Sequence, residues 1–538
     1  MKLVRALALM VAAILLLMPC VAEVTAPGEL PLSSETIKLT VGIPQSSVVE
    51  DWETNRYTKL LEDTLNVDLT FVELPPSGKE FDQKLELMMI DGSDLPDVII
   101  GGFDANTLVK YAQMGRIIPV TEYYDTLSYF IDETCGICTM SKDEMLKYVT
   151  SYDGEVYGVF RISESLNNMY SGARMMIYKP WLDVLGLDMP ETTEDFINVL
   201  KAFRDGDPNQ NGENDEIPLM SYSGVVNTNL MRALINPFIY CQANYYYVED
   251  GEVKLAAMQD EWKEALAFVK ELMDENLLSP LSLTQDKSQL TALMSQEPTI
   301  VGCVANISTT NLPASDARRN EYYTVEPLTG PEGVKQTTKT PTLPSLAMII
   351  TSKCENPEAA FRMGDFMCRE DVSLFNRFGE EGTEWVYLDV PGDSDYEPLG
   401  YAGDIAQLIN PWGSLQNVYW ANVGPQIMNG TFIFRVAAAA KSNNYTGNRR
   451  IAEGLVKEIE LANPDYVAGL VYTEEEQKVI NNYLKPINGY IEESFAQFIT
   501  GQLDLENDWE GYLAEFDKLN TEEYLEAVNS AYERQQAK

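Results

Sequence analysis

The chain has 538 residues, more than one ordinary hydrophobic core can organise, so we expect two or more lobes. Its 83 Asp and Glu against 39 Lys and Arg give a net charge of −44, which repels phosphate backbones and disfavours nucleic-acid binding. Histidine is absent, which excludes Ser-His-Asp and Cys-His triads and His-based zinc sites. Catalysis by paired carboxylates stays open, because such enzymes need no histidine.

The N-terminus has the pattern of a signal peptide. Lys2 and Arg5 precede an uncharged apolar run over 7–18, which at about 1.5 Å per residue is too short to cross a bilayer core of about 30 Å. Two ways of cleavage remain open. Leu17-Met18-Pro19-Cys20 is similar to a lipobox, which would make Cys20 a lipidated first residue, and Cys20-Val21-Ala22 is similar to an ordinary cleavage site. The chain is therefore expected outside the cytoplasm, lipid-anchored at the cell surface or secreted.

Residues 1–22 are thus assigned to the signal peptide, and residues 23–36, rich in Pro, Glu, Ser and Thr, to a flexible tether. Six cysteines follow the tether, and their pairing cannot be deduced from the sequence. Cys135 and Cys138 have the spacing of a redox motif, but the residues before them give little sign of the buried strand that such motifs follow. A local disulfide or two inert thiols is therefore expected.

Alternating hydrophobicity predicts a parallel sheet at the start of the fold. Ile37, Leu39, Val41 and Ile43 alternate with polar or small neighbours, as in a half-buried strand. Up to Ile100 the periodicity then changes to helix, strand, helix and strand, an order that calls for parallel strands with helices on the faces. Ligands of such sheets bind beyond the carboxyl ends of the strands, so the loops after Ile43 and Ile100 are candidate binding loops.

The C-terminal part, 474–535, is helix-like, with breaks predicted at Pro486–Gly489 and Leu505–Asn507. One apolar face is predicted from five side chains at helical spacing: Tyr483, Ile487, Tyr490, Ile491 and Phe495.

A dense acidic segment, Asp205–Glu216, predicts a cation site. Five carboxylates within twelve residues repel one another unless a cation lies among them. Asp207, Asn209 and Asn211 alternate before Gly212, as in the first half of an EF-hand calcium loop. The bidentate Glu of a full EF-hand is missing, and Glu216 could supply that group from a nearer position. The alternative is a solvated turn rich in Asp and Asn.

The segment between Trp385 and Trp420 is rich in aromatic residues and interrupted by Gly and Pro. It holds Trp385, Trp412 and Trp420, and tryptophans on loops can stack on the apolar faces of sugar rings. We predict these three as ligand contacts, with core packing as the alternative.

The order of the motifs resembles the sugar-type extracellular solute-binding proteins of ABC importers, in the long form common in Gram-positive bacteria. The segments that carry this resemblance are Leu95–Ile99, Met114–Val120, Tyr152–Val159, Ile177–Leu187, Asp207–Leu219, Leu328–Gly333 and Gly379–Trp385.

The resemblance implies a two-lobed α/β fold of the type II periplasmic-binding-protein kind, with hinge crossovers and a helical C-terminal part. Lobe 1 is expected at 37–160 plus 345–380, and lobe 2 at 161–344 plus 381–538. The lobes would close around a small solute, and the monomer would dock on permease subunits encoded elsewhere; it would not be an enzyme.

The same resemblance implies site residues. Structural calcium would be held by Asp207, Asn209, Asn211, the carbonyl of Glu213, Asp215 and Glu216, and Asp104 would contact the ligand. Family likeness and the tryptophans favour an oligosaccharide. A uronate is also compatible with so acidic a chain, because local arginines such as Arg161 or Arg435 could offset the charge. A secreted carbohydrate-active enzyme with paired carboxylates and a ligand-sensing surface receptor are the alternatives.

Overall fold

The computed structural model describes residues 23–138, 140–163, 171–225, 229–305, 312, 316–339, 342–387, 405–407, 415–428, 436–437, 454–455 and 457–536. The predicted signal peptide with Cys20 lies outside these ranges. The chain separates into two compact units. Unit 1 comprises Met1–Ile162, Pro344–Glu380 and Asn410–Met428, and unit 2 comprises Ser163–Leu343, Glu381–Ile409 and Asn429–Lys538.

The strands are numbered along the chain: β1 (Ile37–Pro44), β2 (Val67–Leu74), β3 (Val98–Phe103), β4 (Val159–Ser163), β5 (Met175–Tyr178), β6 (Ile217–Met220), β7 (Tyr246–Glu249), β8 (Glu252–Leu255), β9 (Val301–Ala305), β10 (Tyr322–Val325), β11 (Ser345–Ile350), β12 (Trp385–Tyr387), β13 (Ile405–Gln407), β14 (Gln426–Met428) and β15 (Val436–Ala437).

The α-helices are α1 (Arg56–Leu65), α2 (Lys79–Asp91), α3 (Ala105–Gln113), α4 (Thr121–Thr126), α5 (Phe130–Cys135), α6 (Lys142–Val149), α7 (Lys179–Leu185), α8 (Thr193–Asp205), α9 (Ser223–Val225), α10 (Met231–Ile235), α11 (Asp260–Asp274), α12 (Lys287–Met294), α13 (Pro357–Met367), α14 (Glu370–Phe378), α15 (Glu474–Ile499), α16 (Trp509–Lys518) and α17 (Thr521–Gln536). Short 3-10 helices lie at Ser171–Ala173, Ala243–Tyr245, Ala256–Met258, Pro280–Leu283 and Ala317–Asn320.

Unit 1 is built on a six-stranded sheet with the order β14-β4-β11-β3-β1-β2. The predicted parallel arrangement is confirmed, since β1 pairs in parallel with both β2 and β3. Strand β11 runs antiparallel to both β3 and β4, so β4 points the same way as β3. The carboxyl ends of β1, β3 and β4 therefore lie at one edge of the sheet, which we call the carboxyl edge.

Residues 23–36 are not a flexible tether, which corrects the prediction. Leu32 and Ser33 are buried in unit 1, and the Leu32 amide donates to the Leu65 carbonyl over 3.0 Å. The guanidinium of Arg362 donates to the carbonyls of Thr25 and Glu29. The polar composition suggested a solvated segment, but one buried leucine and a buried arginine suffice to order its backbone.

Unit 2 contains a four-stranded sheet with the order β10-β5-β9-β6, the hairpin β7-β8 and the small sheet β12-β13-β15. Its largest buried side chains include Trp181 and Trp262, and the Trp181 ring meets Phe203 edge-on at 5.1 Å between centroids. The C-terminal helices belong to the same core, to which Ile491, Phe495 and other α15 residues contribute. The predicted apolar face of that helix is thus confirmed.

Helix α15 runs through Pro486, where the sequence predicted a break. Proline within a helix removes one hydrogen bond and costs about 3 kcal/mol. Ile487, Ile491 and Phe498 are buried on the same face, and their burial outweighs that cost because each buried large apolar side chain contributes about 1.5–3 kcal/mol. The second predicted break is confirmed, since α15 ends at Ile499 and α16 begins at Trp509.

No disulfide joins the cysteines of the described ranges, and Cys138 Sγ instead lies 3.5 Å from the Thr134 carbonyl. No helix in those ranges combines the length and the apolar character that crossing a bilayer requires.

Candidate functional site

The carboxyl edge of unit 1 carries the first predicted ligand contact, Asp104. It directly follows β3, is exposed, and accepts hydrogen bonds from the amide and the hydroxyl of Thr107 over 2.8 and 2.9 Å. Asp104 is thus the N-cap of α3, whose first-turn amides would otherwise lack acceptors. The structure places the residue at the predicted edge, and contact with a ligand stays a prediction.

Trp420 is a core residue of unit 1, which corrects its assignment as a ligand contact. Its side chain is fully buried, and its indole meets the rings of Trp52, Tyr57 and Phe71 edge-on at 5.9, 5.2 and 5.6 Å. Its Nε1 donates to the Thr58 hydroxyl over 2.9 Å. No face of this ring is left for a sugar. The surrounding segment, Asn410–Met428, belongs to unit 1 rather than to lobe 2, since β14 extends the sheet of unit 1.

The other two tryptophans differ from Trp420. Trp385 lies in unit 2 at the start of β12, is 1% exposed and packs edge-on against Tyr387 at 4.9 Å. This burial offers no ring face to a solute in the present structure. Trp412 lies outside the described residues, so its role stays a prediction.

The predicted calcium loop lies in unit 2, between the end of α8 and the start of β6. Its backbone takes the left-handed conformation at Asp207, Gln210 and Gly212, with φ of 46°, 59° and 79°. The Asp207 carboxylate accepts the amides of Asn211 and Gly212, both over 3.1 Å. These bonds curl the loop around the side chain of its first predicted ligand, as an oxygen-lined cation loop requires.

The asparagines of the loop form successive turns. Asn209 Oδ1 accepts the Asn211 amide over 3.0 Å, and Asn211 Oδ1 accepts the Glu213 amide over 2.7 Å. Their side-chain amides both donate to the Asp215 carboxylate, over 2.9 to 3.1 Å. The side-chain amides of Asn209 and Asn211 therefore lie within hydrogen-bonding distance of the Asp215 carboxylate.

Glu216 is the loop residue whose environment points most clearly to a cation. Both of its carboxylate oxygens are buried, and neither has a hydrogen-bond partner. Burial raises the pKa of Glu216, and the charges of Asp215 and Asp207 raise it further, while the nearby amides of Glu216 and Asn209 lower it in part. A cation among these three carboxylates would oppose that shift, because it would stabilise their charged forms.

As they stand, the carboxylates do not converge on one point. Within the ranges that the structure covers, no three Cys, His, Asp or Glu side chains are close enough to hold a metal ion by themselves. The donor set of the loop also needs the two asparagine oxygens and the Glu213 carbonyl. Binding would require Asp215 to exchange its amide partners for the cation.

No protein-family model matches the chain. The fructooligosaccharide ABC transporter substrate-binding protein FusA of Streptococcus pneumoniae is 27% identical over 483 residues, which cover 85% of this chain and 83% of that protein. Lipoprotein LipO of Bacillus subtilis is 29% identical over 252 residues, or 46% of this chain and 45% of LipO.

Comparison with solved structures also finds FusA. The S. pneumoniae FusA structure in complex with kestose has a TM-score of 0.70 at 24% identity and covers 93% of this chain and 99% of that chain. An EF-hand mutant of FusA in complex with fructo-nystose gives the same values. The resemblance to solute-binding proteins of ABC importers and the α/β fold class with a helical C-terminal part are thereby confirmed.

Proposed function

We propose that this chain is the extracytoplasmic substrate-binding component of an ABC importer and that it captures an oligosaccharide without altering it. The observation that carries the proposal is the similarity to FusA over 85% of the chain. Permease subunits on other chains are the implied partners. The absence of histidine from the sequence supports a binding role over most acid–base chemistries.

The fold of unit 1 supports the same role. The carboxyl ends of β1, β3 and β4 share one edge, and in open α/β sheets this edge is where ligands bind. Asp104 lies there with its carboxylate exposed. Closure of two lobes around the ligand remains part of the proposal, as does anchoring through Cys20, for which the lipoprotein name of LipO is the support.

Calcium belongs to the proposal as a structural ion. One FusA structure is described as an EF-hand mutant, and this name supports a calcium loop in the present chain. In this chain the buried, unpartnered oxygens of Glu216 and the curled Asp207–Glu213 backbone fit an oxygen-bound cation. The ligands would be Asp207, Asn209, Asn211, the Glu213 carbonyl, Asp215 and Glu216.

The test is calorimetric titration of the mature chain with a panel of neutral and acidic oligosaccharides, followed by chromatography of each sugar after overnight incubation. We expect saturable binding of at least one sugar at a stoichiometry of one and its recovery intact. Cleavage products would favour the carbohydrate-active enzyme. A panel without any binder, tested with protein whose thermal unfolding is cooperative, would contradict the proposal.

A further inference from the structure

The segment before β1 is fixed to unit 1 from Val24 onward. Val24 packs against the core of unit 1. The Thr25 amide donates to the Leu32 carbonyl over 2.8 Å, and the Thr25 hydroxyl donates to the Pro31 carbonyl over 3.0 Å. These bonds close residues 25–32 into a loop, which we call the N-terminal loop. Among the residues with described positions, the first fixed point is therefore Val24 rather than the start of β1.

Arg362 of α13 holds the N-terminal loop in place. The residue is 2% exposed, and its guanidinium donates to the Thr25 carbonyl and, over 2.8 Å, to the Glu29 carbonyl. Gly28 lies so close to Tyr129 that a Cβ added to the glycine would come within 2.9 Å of the tyrosine ring. Detaching the loop would leave a buried guanidinium without these acceptors, so the loop stays attached in the folded chain.

The proposed lipid anchor, Cys20, is only four positions before Val24. An extended chain spans at most about 3.3–3.6 Å per residue, so the two Cα atoms are at most about 14 Å apart whatever conformation the linking residues take. A flexible tether from Cys20 to Ile37 would instead have allowed about 60 Å. Because the acyl chains of an anchored cysteine lie in the bilayer, the cysteine itself lies at the level of the headgroups. Anchoring therefore keeps the N-terminal loop close to the headgroups.

The surface beside the anchor is apolar in part and carries no excess of positive charge. Tyr129, next to the loop, is 47% exposed, and Ala26 and Pro27 are exposed on the loop itself. Tyrosine is favoured at membrane interfaces, because its ring is apolar and its hydroxyl polar. Glu23 and Glu29 are exposed, and the whole chain has a net charge of −44, so anionic headgroups repel it. The lipid must therefore supply the attachment.

We propose that lipidation at Cys20 holds the side of unit 1 formed by the N-terminal loop and Tyr129 against the lipid headgroups. The inference rests on the anchoring that is part of the proposed function, and it adds which surface meets the membrane. The loop ends at Leu32, whose amide donates to the carbonyl of Leu65 two residues before β2, so this end lies at the amino ends of β1 and β2. The carboxyl edge is one strand of eight residues away, about 26 Å, and stays clear of the membrane.

The test measures energy transfer from a fluorescent amino acid in unit 1 to rhodamine on the lipid headgroups. The full-length chain is produced in a bacterium that processes lipoproteins, and mass spectrometry verifies the lipid on Cys20. The chain is then reconstituted in vesicles of phosphatidylcholine and phosphatidylglycerol. The fluorescent residue replaces either Ala26, exposed on the N-terminal loop, or Ser47, exposed beyond the carboxyl end of β1. We expect stronger transfer from position 26 than from position 47.

Two changes lengthen the connection to the anchor. Insertion of about twenty Gly and Ser residues between Ala22 and Glu23 should lower transfer from position 26 and abolish the difference, because the reach of a flexible linker grows with its length. Arg362→Met should lower it in the same direction by releasing the N-terminal loop. Arg116→Met is the matched control, since Arg116 also donates to backbone carbonyls of unit 1, those of Met89 and Ile90, and should keep the wild-type difference.

The outcomes separate this inference from the proposed function. Equal transfer from the two positions in the lipidated wild type, or a difference that survives the insertion, would overturn the inference. Absence of lipid from Cys20 would overturn it as well and leave the proposed capture of an oligosaccharide standing, because calorimetry measures that capture on the mature chain without a membrane. If Arg362→Met fails to fold, the wild type and the insertion variant still decide.

Discussion

Arg174 and Glu458 form a buried bidentate ion pair in unit 2, with Arg174 Nε donating to Glu458 Oε1 over 2.7 Å and a second bond between Nη2 and Oε2. The two side chains are 0% and 4% exposed, so neither charge has access to water. The pair joins the residue before β5 to the helical segment at 457–461, far along the chain.

We therefore expect Glu458→Ala to destabilise unit 2 by about 3–5 kcal/mol, because Arg174 would keep a buried charge without its partner. The double variant Arg174→Met, Glu458→Leu should lose much less, since it removes both charges. Urea unfolding of the wild type, the single variant and the double variant measures these losses. The control is Glu474→Ala, which breaks the exposed Glu474–Lys478 pair and should change the free energy of unfolding little. Equal losses in the single and double variants would contradict this account.

Calcium should stabilise the chain through the loop before β6. A ligand that binds only the folded state raises the free energy of unfolding by about 2.7 kcal/mol at one hundred times its dissociation constant. Addition of chelator should remove this gain. Glu216→Gln should abolish most of this response, and without calcium it should be at least as stable as the wild type, because the amide is not repelled by Asp207 and Asp215.

The matched control for calcium is Asp205→Asn. Asp205 belongs to the same acidic segment but pairs with Arg204 over 2.7 and 2.8 Å, outside the predicted ligand set. Its calcium response, read from the thermal unfolding midpoint, should equal that of the wild type. If neither calcium nor chelator changes the thermal unfolding midpoint of the wild type, the proposed calcium site is contradicted.

Trp420→Ala should destabilise unit 1 by about 3–5 kcal/mol, because it leaves a cavity among aromatic core side chains and removes the hydrogen bond from Nε1 to the Thr58 hydroxyl. The affinity of the folded variant for the best oligosaccharide should stay unchanged. Urea unfolding measures the loss of stability, and calorimetry measures the affinity. Unchanged stability with lost binding would instead restore Trp420 as a ligand contact.

Asp365 should make the stability of unit 1 depend on pH. Burial raises its pKa to about 6, and the charge of Asp132 adds to the shift, against hydrogen bonds from the amides of Tyr129, Phe130 and Ile131. Because the folded-state pKa exceeds the unfolded value of 3.8, the folded chain holds the proton more tightly, and this stabilisation is lost as pH rises through 6.

Relative to Asp365→Asn, which does not titrate, the wild type should therefore lose on the order of 2–3 kcal/mol between pH 4 and pH 7. Urea unfolding at four pH values measures the difference. A wild type that gains stability over Asp365→Asn as pH rises would reverse the assigned sign.

Pro486→Ala should stabilise unit 2 by about 1–3 kcal/mol, since Pro486 is exposed inside α15 and alanine restores the missing hydrogen bond. Pro357→Ala is the control, because Pro357 begins α13, where the amide would have no helical partner. Thermal unfolding checks both variants. A loss of stability in Pro486→Ala would show that the ring is needed in its present packing.

Local pattern in the sequence determined the order of β1, α1, β2, α2 and β3. Strand alternation and helical spacing depend on neighbours within a few residues, and a parallel sheet follows from that order. The acidic loop before β6 could also be predicted from the sequence, because its candidate oxygen ligands lie within ten residues of one another. These features are properties of short segments.

Only the tertiary structure decided which side chains are buried together. The Arg161–Asn422 contact joins residues 261 positions apart, and nothing in either segment signals the other. Trp420 stands in a loop-like sequence yet is buried against Trp52 and Tyr57, and Pro486 is tolerated because α15 buries its other face. Burial free energy is gained from partners distant in the chain, so it overrides local propensity without leaving a local trace.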